Sequence, residues 1–562
     1  MKHDPVTLRI ISNSLLYASE EMGLALRNSA YSPNIKERMD HSAAVFDAEG
    51  RLLAQAEHIP VHLGSLPWGL KNLLRYCARE GVDFEEDSMV VSNDPYITGT
   101  HLNDVTLAAP VYHGGSIVAL VVNKAHHADV GGVVPGSISM EARTLQEEGQ
   151  VLEPSTLWRD RSFDERMVET FASASRTPTE RRGDLKAQVA ANVAGTRRVE
   201  GIIDKYGLSA FDQAALRSFS RAESLTRQRL AKFRRGTFRA ADSLEGPHGE
   251  DLILRARVTV GRSRIEIDYA GTSPQVDYPL NAVLGVTISG AYFVLRCLLG
   301  DDIPANYGAF LAVRVEAPPG TILNPTYPHP VGGGNVETSQ RNADVIFRAL
   351  APAAGGSVPA AAGGSMNNVM IGGGRGRGSW AFYETLGVGL GGSRTRDGID
   401  GIQANMTNTM NTPVEEIERS LPIMMTRYEF RPDSSGAGRY RGGSGLVRAY
   451  EALSGNTTFT IVAERARHLP WGLEGGLPGR GTEVLVTKRG RRQAVDVKST
   501  FTLNAGDVVE VRTAGGGGFG MPGERSAKAL EKDLRNGLVT PKFVKEEYGR
   551  ADWRRGRVRP CF

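Results

Sequence analysis

Between Asn93 and Gly132 the chain gathers His101, His113, His126 and His127, four of its eleven histidines, together with Asp104 and Asp129. Imidazole and carboxylate in one short stretch suit a divalent metal such as Zn or Mn. The spacing says how they could meet. Val105–Tyr112 and Ser116–Lys124 read as two strands turning at His113-Gly-Gly. In an antiparallel hairpin the outer ends lie side by side, so His101 and Asp104 approach the His126-His127 pair. Neighbours in extended chain point to opposite faces; His126 is assigned to the site and His127 behind it. Asp40, at the mouth of a further predicted strand (Ala43–Phe46), joins them. The expected ligands are therefore Asp40, His101, Asp104 and His126. The same residues could equally serve as hydrogen-bonding groups around a loop, and residue types alone leave both readings open.

Other groups could support chemistry at such a centre. Glu57, His58 and His62 lie together in QAEHIPVHLG and have the character of general acids or bases. His127 is also a candidate of this kind, and Asp129 could orient a ligand imidazole. Asn335, Glu337, Gln340 and Arg341 follow three glycines and precede a helical pattern. Polar side chains there could hold a substrate amide or carboxylate, and a turn-and-cap cluster explains them equally well. Phosphate motifs fail: Gly372-Gly-Gly-Arg-Gly-Arg-Gly-Ser lacks the P-loop lysine. Gly515–Gly520 matches G-x-G-x-x-G but runs into Met521-Pro522-Gly523 instead of a helix. No G-x-S-x-G elbow supports a serine nucleophile.

The elements that must carry these residues are legible in outline. Leu8, Ile11, Leu15, Ala18 and Met22 mark one face of a helix from Val6 to Ser29, with Asp4 as cap and Pro5 in its first turn. A hairpin (Ala43–Phe46, Arg51–Ala54) and a helix from Leu66 to Arg79 follow. Helices are expected over Asp184–Tyr206 and Ala210–Phe233, then a hairpin of Leu252–Val260 and Arg264–Tyr269 and a helix within Asn281–Leu299. From about Gly320 to Gly520 the pattern is short strands and glycine turns, including Thr458–Val462, Thr482–Thr487, Ala494–Val497 and Val508–Thr513. Two short helices (Ser526–Asn536, Lys542–Tyr548) close the chain. The expected class is α+β and multi-domain, with mixed β-sheets, helical segments in the N-terminal half and a glycine-rich, β-rich C-terminal half. The domains read as 1–235, carrying the metal site, 236–345, 346–522, and a helical tail over 523–562.

Composition narrows the function. The 562 residues carry 67 basic and 63 acidic side chains, with no clustered basic face for nucleic acid. Three scattered cysteines, Cys77, Cys297 and Cys561, make neither a disulfide framework nor a thiolate metal site. No window approaches the ~18 apolar residues of a membrane span, and the N-terminus lacks a signal-peptide core. The expectation is a soluble, cytoplasmic protein. Glycine is the outlier at 66 residues, bunched in GGGNVETS, GVGLGGS, RGGSG and AGGGGFG, where close backbone approach is expected.

Several stretches, read in order, resemble the hydantoinase B/oxoprolinase family: AYSPNIKERMDHS, FDAEGRLLAQAEHIPVHLGS, NDPYITGTHLNDVTL, NKAHHADVGG, DYAGTSPQ, NPTYPHPVGGGNVETSQR, DSSGAGRYRGGSG and GGGGFG. The resemblance implies one half of an ATP-coupled amide or lactam hydrolase. An actin-like ATPase subunit of the hydantoinase A type, on a separate polypeptide, would phosphorylate a carbonyl oxygen. This chain would open the ring with water activated by one divalent ion; ATP would be used by the partner and not bound here. A hetero-oligomer follows, acting on a hydantoin- or oxoproline-like substrate. The family's metal ligands carry over onto Asp40, His101, Asp104 and His126. The alternative within the same resemblance is a subunit of an acetone-type ATP-dependent carboxylase.

Overall fold

The structure, a computed structural model, describes residues 4–56, 58–374 and 376–550. Four sheets and the helices between them build an α+β architecture. The helix Pro5–Ser29 starts where Asp4 accepts a hydrogen bond from the Thr7 amide at 3.1 Å, and it buries Leu8, Ile11, Leu15, Ala18, Met22 and Leu26. Each such leucine or isoleucine contributes about 1.5–3 kcal/mol on full burial.

The helix packs on a seven-stranded antiparallel sheet ordered β2-β1-β5-β4-β3-β6-β7. Its strands are β1 (His41–Asp47), β2 (Leu52–Ala56), β3 (Met89–Ser92), β4 (Asp104–His113), β5 (Ser116–His126), β6 (Ser155–Arg159) and β7 (Ser162–Phe163). Alternation along the central strands assigns the two faces. Val45, Val105, Leu107 and Val121 join the main core, with Ile11 and Leu15 of the first helix and Leu185 and Val189 of the helix Pro178–Tyr206. Ala44, Phe46, Ala108, Leu120 and Val122 face the other way, against Leu66, Leu70 and Leu73 of the helix His62–Glu80.

The central hairpin is longer than its apolar pattern suggests. Asp104 and His126 lie inside β4 and β5 as paired residues, not in the flanking loops. Backbone pairing continues past the last alternating apolar residue, which side-chain pattern does not report. The helix expected from Leu66 likewise begins at His62, which sets that imidazole against the ends of β1 and β4.

A second sheet runs β11-β10-β9-β8, from β8 (Gly236–Glu245), β9 (Asp251–Val260), β10 (Ile265–Asp268) and β11 (Val313–Glu316). Its buried residues share one core with the N-terminal sheet. The helix Ser339–Leu350 follows a π-helical turn, Gly334–Thr338. Two more sheets make up the C-terminal part, β13-β12-β16-β19 and β14-β15-β20-β17-β18. They comprise β12 (Asn368–Gly373), β13 (Trp380–Thr385), β14 (Ile423–Phe430), β15 (Leu446–Ala452), β16 (Thr457–Val462), β17 (Glu483–Lys488), β18 (Arg491–Val495), β19 (Lys498–Leu503) and β20 (Val508–Arg512). Ile371, Phe459, Tyr450 and Val509 pack between them. The run Gly515–Gly518 threads among backbone strands. A Cβ at Gly516 would stand 2.1 Å from the Leu390 carbonyl oxygen, and one at Gly517 would stand 2.1 Å from that of Trp471. Only glycine fits that spacing.

Candidate metal centre

β4 and β5 pair Asp104 directly opposite His126, and the turn before β4 brings His101 over them. His101 Nε2 lies 3.2 Å from His126 Nδ1. It lies 3.4 Å from Asp104 Oδ1, and His126 Nδ1 lies 3.3 Å from that same oxygen. Bonds of about 2.0–2.1 Å to a tetrahedral ion set donors about 3.3–3.4 Å apart, so the triangle has the edge length of such a site. Among the described residues these three form the one group of His, Cys, Asp or Glu donors gathered this closely. Two ring nitrogens facing each other at this distance repel unless a proton or cation lies between them.

Electrostatics favour the ligand forms. Burial alone would raise the Asp104 carboxyl, but the His101 and His62 imidazoles and hydrogen bonds from His101 and His126 outweigh it and hold the group well below its ordinary value. Burial lowers His126, against the pull of Asp40 and Asp104. An ionised carboxylate and a neutral imidazole are what a divalent ion binds.

Asp40 stands slightly apart, its Oδ2 3.9 Å from His126 Nδ1 and its carbonyl accepting the His126 amide at 3.0 Å. Its side chain is 10% exposed against 0–4% for the other three donors. It therefore sits at the open edge of the set. Asn34 holds this edge, donating to the His126 carbonyl at 2.7 Å.

The groups expected to assist are dispersed. His58 lies against Glu20, 3.3 Å away on the first helix. His127 points to the opposite sheet face, as strand alternation requires, with Nε2 2.9 Å from Gln188 Oε1; burial takes its imidazole down to about 4. Asp129 spends both oxygens on Arg176 and on the amides of Gly131 and Gly136, closing a loop instead of orienting a ligand. Glu57 lies outside the described residues. His62 does reach the centre: its Nε2 is 3.2 Å from Asp104 Oδ2, and its Nδ1 is 2.9 Å from Ser42 Oγ.

The four residues expected to bind substrate are buried at the helix start. Arg341 is bound to Asp242 and Glu464 at 3.2 and 3.0 Å, so its guanidinium is committed inside the protein. Glu337 accepts from the Met366 amide and Asn368 Nδ2. Gln340 donates to the Ala404 carbonyl at 2.9 Å, and Asn335 Oδ1 has no hydrogen-bond partner among the described residues.

Residues that no sequence motif announced frame the centre. Lys124, on β5 two residues before His126, is fully buried and donates to Thr98 O and Thr100 Oγ1, each at 2.8 Å. Burial brings its amine down to about 8, against the pull of Asp104. Glu148 accepts the Val331 and Gly332 amides at 2.8 and 2.7 Å, which ties down the loop before the π turn; burial raises its carboxyl to about 7 despite those bonds. Tyr383 of β13 stacks on His126, ring centroids 4.6 Å apart. A cleft of about 1220 Å³ opens beside Tyr383, with Asn34, Arg176, Ala381 and Thr412 also in its walls.

An α+β chain with imidazole and carboxylate donors convergent at one end of an antiparallel hairpin defines a class of protein with a candidate mononuclear metal centre. The hydantoinase B/oxoprolinase family model matches residues 4–522, and the chain belongs to that family. A protein of Methanocaldococcus jannaschii is 44% identical over 97% of this chain and 96% of its own length. The 5-oxoprolinase 1 of Arabidopsis thaliana is 34% identical over 92% of this chain, which spans only 42% of that longer protein. A putative D-/L-hydantoinase subunit of Pseudomonas sp. is 29% identical over 98% of this chain and 95% of its own length. Among solved structures, the ATP-dependent caprolactamase of Pseudomonas jessenii superposes with a TM-score of 0.91 at 26% identity, covering 99% of this chain and 98% of that one. Acetone carboxylase shares the fold, with a TM-score of 0.90 at 19% identity, covering 97% of this chain and 80% of that one. No helix among the described residues is long and apolar enough to cross a membrane.

Proposed function

We propose that this chain is the metal-bearing subunit of an ATP-coupled cyclic-amide hydrolase, opening a hydantoin- or oxoproline-like lactam that a partner ATPase of the hydantoinase A type has activated. The observation that carries the reading is the donor triangle of His101, Asp104 and His126, with edges of 3.2–3.4 Å. These three would hold one divalent ion, Zn or Mn, and Asp40 would close the set from its open edge. When bound, such an ion supplies Lewis-acid activation of water or of a carbonyl oxygen.

The rest of the reading assigns work to this chain's own side chains. His62, itself held by Ser42, fixes the second oxygen of Asp104, so that its first oxygen faces the two imidazoles. Glu148 holds the Val331–Gly332 backbone beside the centre. The cleft walled by Arg176, Ala381 and Thr412 adjoins Asn34 and Tyr383, and in this reading it receives the lactam. A neutral ring suits it, because the charged groups in its walls are already paired: Arg176 with Asp129, Arg182 with Glu169, Glu180 with Arg181, and Glu416 with Arg419.

The test combines the purified, metal-loaded chain with the ATPase subunit, ATP and hydantoin, 5-oxoproline or caprolactam. Ring-opened product detected by mass spectrometry should require both subunits, ATP and the ion. Incorporation of labelled bicarbonate without ring opening would replace the hydrolase reading with a carboxylase one. Ring opening by the chelated, metal-free chain would remove the ion from the chemistry.

A further inference from the structure

His126 lacks the usual support of a metal-binding imidazole. Such a ring ordinarily donates its far N–H to a carboxylate, carbonyl or water, which fixes its rotation. Here Nδ1 faces His101 and Asp104, and Nε2 has no hydrogen-bond partner among the described residues. Something else must stop the ring from turning about its side-chain bond.

Tyr383 meets that need from the far half of the chain. Its ring is nearly parallel to that of His126, 16° between planes and 4.6 Å between centroids, within the range of favourable offset stacking. Tyr383 is itself tied at three points. Its hydroxyl donates to Asn368 Oδ1 at 2.9 Å. Its carbonyl accepts from Arg38 Nη1 at 3.3 Å, and the Arg38 guanidinium lies 5.0 Å from the ring centroid. Arg38 also bonds Thr385 Oγ1 and the side chain of Asn34, whose amide holds the His126 carbonyl. One buried arginine thereby pins both the backbone of the ligand and the aromatic plate against its ring.

We propose that Tyr383 is a positioning residue for the metal centre: its ring, delivered by β13, sets the orientation of His126, so the centre is completed by the C-terminal half of the chain. The proposal rests on the metal reading above and goes beyond the ligand set. The hydroxyl serves to anchor the plate, and the flat ring does the positioning.

Titration of the metal-free full-length chain with Co(II), followed by its visible spectrum, separates these parts. Tyr383→Phe should bind within about 3-fold of the wild type with the same band shape. Tyr383→Leu should bind roughly 10- to 100-fold more weakly, the usual scale for losing ligand support, and its spectrum should change as the donor geometry loosens. Wild-type affinity and spectrum in Tyr383→Leu would overturn the proposal, as would equal losses in Tyr383→Phe and Tyr383→Leu, since the hydroxyl would then be the active part. A wild-type chain that takes up no Co(II) overturns the metal reading, and the proposal falls with it. If Tyr383→Leu does not fold, fluorotyrosine labelling decides. The ¹⁹F resonance that Tyr383→Phe removes should be strongly shifted by Co(II) in the wild type; an unshifted resonance places the ring away from the ion and ends the proposal.

Discussion

Two of the buried polar clusters in this protein are built on opposite plans. One joins β8, the helix Ser339–Leu350 and the C-terminal sheets. Arg341 pairs with Asp242 and Glu464, Arg465 with Asp242 and Asp344, and Lys498 with Glu464 at 2.6 Å. Three cations meet three anions, and the cluster is closed by the protein itself. The other holds His62, His101 and His126 around Asp104, with Asp40 at its rim. Among the described residues no arginine or lysine pairs with its carboxylates, and the ring nitrogens of His101 and His126 face one another. The first cluster balances its own charge; the second presents donors that a cation could bridge. A guanidinium at a glycine-rich helix start is therefore weak evidence of binding when its partners are already inside the fold.

The sharpest way to break this contrast is to remove one member of the open cluster. Asp104→Ala or His101→Ala should lower metal affinity by roughly 10³-fold or more, since binding free energy at such sites is spread over few ligands. The metal-free melting temperature should change little. Metal analysis and thermal melting check both halves, and full occupancy in either variant would void the ligand assignment. Removing one member of the closed cluster should do the reverse. Glu464→Ala leaves Lys498 buried without its carboxylate and Arg341 with Asp242 alone, and breaking such a buried pair typically costs about 3–5 kcal/mol. Denaturant unfolding should show that loss, while the folded fraction keeps its metal affinity.

A milder test leaves the sequence untouched. An ion that binds only the folded chain stabilises it by RT ln(1 + [L]/Kd), about 2.7 kcal/mol at a hundredfold excess over Kd. Chelation of the wild type should therefore lower its melting temperature, and chelation of Asp104→Ala should not. An equal shift in both would mean that the chelator acts elsewhere.

The contrast also explains how far the sequence can be read. The strands and helices that carry the donors follow alternation and three-four spacing, because one face of each is buried. The convergence of His101, Asp104 and His126 follows from hairpin geometry, a local property. Their inclusion within β4 and β5 does not, since backbone pairing beyond the apolar run leaves no side-chain signature. Arg341 misleads for another reason. Its partners Asp242 and Glu464 are remote in sequence, and a basic residue at a glycine-rich helix start looks the same whether it binds a ligand or an internal carboxylate. Tyr383 carries no signal either: an aromatic residue in a strand reads as core, and its stacking on His126 exists only once the two halves have docked.

Glu337 belongs to neither cluster but feels the charges of Glu464 and Lys498 in one and, through Asn368, holds the tyrosine stacked on the other, which makes it the finest probe of the comparison. Its Oε1 accepts from Asn368 at 2.8 Å, the residue that anchors Tyr383, and its Oε2 has no hydrogen-bond partner among the described residues. Burial, with the Glu464 carboxylate nearby, raises its carboxyl to about 8 against the pull of Lys498. In the unfolded chain the group returns to about 4.3. The folded state thus keeps a proton that the unfolded state releases, and the sign follows from linkage. The stabilising contribution is complete below about pH 4.3 and is lost as pH rises toward 8, at up to about 1.4 kcal/mol per pH unit for one proton. Glu337→Gln keeps the accepting oxygen and removes the titration. Unfolding free energies measured at pH 5, 6, 7 and 8 should fall more steeply with pH in the wild type than in Glu337→Gln. Parallel curves would mean that Glu337 is ionised in the folded protein, held as a fourth anion by Lys498, and the closed cluster would then extend to the residue that supports Tyr383.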